Sequence, residues 1–91
     1  MLEKHIEEKV GDYAKAKGFL TYKVTSPGRR AVHDRSYVSP AGKLVFIEVK
    51  QKGAVLTPAQ EREHFRLKDH NVNVFMVDSI EKGMAVVDSF A

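Results

Sequence analysis

The sequence predicts a small α/β fold in the order αβββαβ, with a mixed central sheet flanked by helices. Three observations carry that prediction. Apolar residues recur at three- and four-residue spacing over 2–17, which is the periodicity of an amphipathic helix. Two β-branched, aromatic-rich runs flank Ser39-Pro40-Ala41-Gly42, which is the pattern of a hairpin. A second capped helix then opens at Thr57-Pro58 and leads into a last apolar strand. Three meandering strands followed by a helical crossover to a fourth give a sheet of mixed sense.

The elements follow in order. Leu2, Ile6, Val10, Tyr13 and Ala14 share one face of the first helix, and Gly18 supplies its stop. Phe19 to Val24 reads as the first strand. Ser26-Pro27-Gly28 is a turn, and Arg29-Arg30 is a basic loop leading into a strand over 32–38. The third strand, 44–50, has Leu44 and Phe46 on one face and Val45, Ile47 and Val49 on the other, which describes a central strand covered on both sides. Gln51-Lys52-Gly53 is a loop, and the second helix ends at His70-Asn71. Val72 to Val77 makes the fourth strand, and Ser79 to Ala91 is a tail of weak helical or strand character whose apolar Met84, Val86, Val87 and Phe90 suit either a subunit interface or the monomer core.

Composition narrows the function. Ninety-one residues make one domain, 1–91, with a single modest core. The absence of cysteine removes disulfides, thiolate zinc sites and Cys nucleophiles together, and fits a reducing cytosol. The charged start, Met1-Leu2-Glu3-Lys4-His5, is unlike a secretory signal, and no apolar stretch reaches membrane-spanning length. A net charge of +3 mildly favours a polyanionic partner. Its distribution says more: Lys23, Arg29, Arg30, Arg35, Lys43, Lys50 and Lys52 crowd one segment, a basic rim suited to a phosphate backbone.

That segment also holds the chemistry. If the hairpin is symmetric about Ala41, Asp34 lies directly across from Glu48, with Cβ atoms about 4.5–5.5 Å apart. Lys50 projects from the same face as Glu48. Two opposed carboxylates destabilise a ladder unless a cation neutralises them, and a charge at the end of an apolar strand is costly to bury without a partner or a metal. An isolated Glu-x-Lys equally suits a solvated pair where a strand leaves the core; Asp34 falling in register favours the site. Thr57-x-x-Gln60 is a capping box. The four histidines lack HxH or HExxH spacing, so no dedicated zinc site is expected, and His33 sits at a strand position that points away from Asp34, for a surface or packing role.

In this order and spacing, Lys17-Gly18-Phe19, Tyr22 to Arg30, Asp34-Arg35, Phe46-Ile47-Glu48-Val49-Lys50, Leu56-Thr57-Pro58-Ala59-Gln60 and Val74 to Ser79 resemble the virus-type replication-repair nuclease (VRR-NUC) domain of the PD-(D/E)XK nuclease superfamily. The resemblance implies a restriction-endonuclease-like core. It implies that Asp34, Glu48 and the backbone carbonyl of Val49 bind Mg²⁺ or Mn²⁺, and that Lys50 positions or activates the attacking water. It also implies an acid on the first helix, for which Glu7 fits best and Glu3 or Glu8 are alternatives, and it places Gln60 near the site, so that Gln60 reads equally as a site residue or as only a helix cap. Where relatives have Gly-Val-Pro-Asp, this chain has Ala31-Val32-His33-Asp34; proline is not a ligand, so activity is expected to survive.

The expected function is metal-dependent hydrolysis of branched or double-stranded DNA, with Arg29, Arg30, Arg35 and Lys52 on the backbone, in a cytoplasmic protein of a bacterial or phage-infected cell. Similarity to the archaeal Holliday-junction resolvases implies a symmetric homodimer that cuts four-way junctions, in DNA repair. The competing expectation is a nucleic-acid-binding module that keeps the nuclease fold and is inactive alone or needs a partner protein.

Overall fold

In the computed structural model the described residues are 2–23 and 35–91. They form α1 (Glu3–Ala16), β1 (Leu20–Lys23), β2 (Arg35–Val38), β3 (Leu44–Val49), α2 (Pro58–Asp69), β4 (Asn73–Val77) and α3 (Ile80–Phe90). The strands lie in the order β1-β2-β3-β4. The first three pair antiparallel and β4 joins β3 parallel, so the sheet is mixed as the sequence predicts.

α1 buries Ile6, Val10 and Ala14, spaced four apart along one stripe. Gly18 ends it with φ +88°. The Phe19 amide donates to the Ala14 carbonyl and the Gly18 amide to the Lys15 carbonyl, each at 3.0 Å. That pair of bonds is a Schellman closure, which needs a left-handed residue and so suits glycine.

The β2–β3 hairpin has the predicted register. Arg35 faces Ile47, Ser36 faces Phe46, Tyr37 faces Val45 and Val38 faces Leu44, all symmetric about Ala41. Gly42, with φ +85°, turns the chain, and its amide donates to the Ser39 carbonyl at 2.8 Å.

Opposed residues share a face of the sheet. Tyr37, Val45, Ile47, Val49 and Val77 therefore form one buried face, which packs under α1 and α3 with Ile6, Val10 and Val87. The expectation that β3 is covered on both sides holds only in part. α2 packs on β4, and on the other face of the sheet Leu20 and Leu44 are exposed and Phe46 is half-buried.

The tail is a helix, α3, and it completes the monomer core. Val87 is buried, Val86 and Phe90 pack against the core, and Phe90 meets Phe75 edge-on with ring centroids 5.9 Å apart. Ser79 caps α3 by accepting the Lys82 amide at 3.1 Å. Gly83 lets α3 approach α1 closely: a Cβ there would stand 2.3 Å from Val10 Cγ2. Weak periodicity in the sequence hid this helix because a glycine occupies one of its two buried positions.

Candidate active site

β3 is the inner strand on which the antiparallel hairpin and the parallel β4 meet. In open α/β sheets ligands bind beyond the carboxyl ends of parallel strands. Glu48, Val49 and Lys50 occupy that end of β3.

Glu48 is buried, with 6% of its surface exposed. A buried carboxylate is tolerated only with hydrogen-bond or charge partners. Gln60 supplies one: its Nε2 donates to Glu48 Oε1 at 3.5 Å. Gln60 is also the far half of the capping box. Its Oε1 accepts the Thr57 amide at 3.0 Å, while its own amide donates to Thr57 Oγ1 at 3.2 Å. Gln60 thus caps α2 and touches Glu48 with one side chain, because an amide has a separate acceptor and donor end. The N-terminus of α2 is fixed by the end of its side chain that does not touch Glu48.

Val49 is buried within the ladder opposite Val77, and the Lys50 amide donates to the Val77 carbonyl at 2.9 Å. The backbone of Lys50 is therefore held against β4 just past the strand, while its side chain is half-buried. Lys52 is exposed in the following loop. Asp34, Arg29, Arg30 and His33 lie outside the described residues.

Glu7 and Arg35 meet each other. Arg35 Nε donates to Glu7 Oε1 at 2.5 Å, an ion pair with both side chains partly exposed. Arg35 faces Ile47 across the ladder, so by alternation it projects from the face opposite Glu48. The guanidinium expected on DNA is engaged with α1, and the acid expected beside Glu48 is engaged with β2. Glu3 and Glu8 are exposed on α1. Beneath the Glu7–Arg35 pair lies Tyr37, whose hydroxyl is pushed up to about 12 by burial and then by the nearby Glu7 carboxylate, against the opposing pull of Arg35.

Asp78 is a positioning residue that the sequence reading does not single out. Its Oδ2 accepts the Gly53 amide at 3.2 Å and its Oδ1 accepts Lys82 Nζ at 2.9 Å. Lys82, then the Gly53 amide, hold its carboxyl below the usual aspartate range. It thereby ties the loop after Lys50 to the start of α3. The Asp-x-x-x-Lys spacing is legible as a helical pair, but the contact to Gly53, 25 residues away, has no sequence signal.

Among the described residues no three His, Cys, Asp or Glu side chains stand together to hold a metal ion. Glu48 and the adjacent backbone carbonyl are hard oxygen donors, the type that suits Mg²⁺ or Mn²⁺ over zinc. No described helix is long and apolar enough to cross a membrane.

No family model matches this sequence. A solved structure described as a VRR_NUC domain superposes with a TM-score of 0.90 at 28% identity, covering 98% of this chain and 97% of the other. The mixed sheet with a buried Glu48 and a half-buried Lys50 at the end of β3 is thus that of a small nuclease domain. Over 78 residues the chain is also 42% identical to the protein named "Putative nuclease p44" of Acyrthosiphon pisum secondary endosymbiont phage 1, a match spanning 86% of this chain and 80% of that protein. The chain belongs to the VRR-NUC family of the PD-(D/E)XK nuclease superfamily.

Proposed function

We propose that this nuclease is a divalent-metal-dependent DNA endonuclease selective for branched DNA, acting as a resolvase-like homodimer. The observation that carries the reading is Glu48: a buried carboxylate at the carboxyl end of the inner strand, with Lys50 two residues on and a donor from α2 beside it. The hairpin register supports Asp34 as its partner, since Asp34 directly precedes in sequence Arg35, the first described residue of a ladder symmetric about Ala41.

Asp34, Glu48 and the Val49 carbonyl would hold Mg²⁺ or Mn²⁺. Bound there, such an ion acidifies a water and neutralises charge on the scissile phosphate. Lys50 orients the attacking water and offsets the charge that builds on the phosphate oxygens. Gln60 holds the Glu48 carboxylate in place. Arg29, Arg30 and Lys52 contact the phosphate backbone, which positions DNA without reading its sequence. Glu7, the α1 acid expected at the site, pairs with Arg35 on the α1 face of the sheet, where it holds β2 against α1.

Cleavage of labelled four-way junction, flap and linear duplex DNA with Mg²⁺ or Mn²⁺, for wild type and Lys50→Ala, tests this. Paired symmetric cuts in the junction, lost in the variant, are expected. Equal cutting of all three substrates would remove the structure selectivity. Binding without cutting would make the chain a nucleic-acid-binding module.

A further inference from the structure

We propose that the outer flank of α2, together with the open edge of β4, is the surface on which a second copy of this chain docks, with Glu61 of each copy facing Lys68 of the other across a two-fold axis. This rests on the homodimer reading above and locates its interface. α3 commits Val86, Val87 and Phe90 to the monomer core, so those apolar side chains are not what a partner meets.

Among the described residues β4 is an edge strand. Natural edges are shielded by lysine, proline, a bulge or a cover, because their unpaired amides and carbonyls invite another chain. The other edge, β1, ends in Lys23; β4, Asn73-Val74-Phe75-Met76-Val77, has no charge and no proline. Beside it runs an open groove of about 400 Å³ between α2 and β4, whose lining includes Leu56, Phe65, Val74 and Met76. Phe65 is 72% exposed and stands at the rim of that groove. A large aromatic ring left in water beside an apolar groove marks an interaction site rather than scattered surface carbon.

The charges on this flank say what covers it. Glu61, Phe65 and Lys68 follow at four- and three-residue steps and so form one stripe over two turns of α2, all three exposed. An acid at one end, a base at the other and an aromatic between them is a self-complementary pattern. When two such helices pack antiparallel about a two-fold axis, each acid meets the partner's base, so the contact forms twice, and the two Phe65 rings meet near the axis. The same stripe set parallel would oppose like charges.

The test is sedimentation velocity over a concentration series. Wild type should dimerise. Glu61→Lys and Lys68→Glu, each introducing two like-charge contacts per dimer, should each weaken self-association at least about tenfold. The double swap should restore it, and mixing the two single variants should give a heterodimer as tight as wild type. Circular dichroism on the same exposed-site variants checks that the fold is kept. A dimer indifferent to both single swaps would overturn this surface while leaving the homodimer standing. A wild type that stays monomeric throughout would overturn the homodimer and this inference together.

Discussion

Gln60 offers a test that separates shaping the fold from serving the site. Thr57→Ala removes the acceptor of the Gln60 amide, a 3.2 Å bond. Losing that half of the cap costs about 1 kcal/mol. For a domain of this size that lowers the melting temperature by about 4–8 °C. Gln60→Ala removes the other half, the 3.0 Å acceptor of the Thr57 amide, and a bond of that kind contributes about 0.5–1.5 kcal/mol. The capping losses alone would leave the two variants melting within a few degrees of each other. Only Gln60→Ala also takes the donor from Glu48, a bond at 3.5 Å and so at the weak end for one to a charged acceptor, worth about 1.5 kcal/mol. If that bond keeps the carboxylate in its working orientation, single-turnover cleavage of a labelled four-way junction should fall about tenfold in Gln60→Ala. It should stay near wild type in Thr57→Ala. Equal loss of cleavage in both would refute the reasoning, because the residue would then act only through the placement of α2.

Three other outcomes follow from the packing and the charges. Gly83→Ala should lower the denaturant midpoint by an amount equal to about 1–3 kcal/mol, despite alanine's better helix propensity, because its Cβ would meet Val10 Cγ2 at 2.3 Å in the α1–α3 contact. Tyr37→Phe should leave stability unchanged or raise it by about 1–3 kcal/mol, since the buried hydroxyl has no hydrogen-bond partner among the described residues. The raised folded value means that wild type holds this proton above the ordinary 10.0 and loses stability as pH climbs from there toward about 12; Tyr37→Phe should lack that loss in alkaline unfolding curves. Asp78, whose folded pKa is depressed, stabilises above its ordinary 3.8 and loses that contribution as pH falls below it, so limited proteolysis of loop 51–57 by an acid-active protease should accelerate there in wild type and be fast at every pH in Asp78→Asn.

Much of this architecture was legible because its signals are local. The Schellman stop at Gly18, the box at Thr57 and Gln60 and the turn before Lys43 each need only a few neighbouring residues of the right chemistry. Register was legible for the same reason: one turn and strict alternation fix every pair from Arg35–Ile47 to Val38–Leu44. The Glu48 and Lys50 positions at the end of β3, and so the nuclease reading, came with it. Tertiary structure decided what depends on distant partners. It drew Glu7 and Arg35, 28 residues apart, into an ion pair, and it set Asp78 on the Gly53 amide. It made a helix of the tail because an apolar face was waiting on α1, with Gly83 opposite Val10 where periodicity alone shows a gap. It left Phe65 in water beside an open edge, for composition counts a phenylalanine as core and only packing shows which one has nothing to pack on.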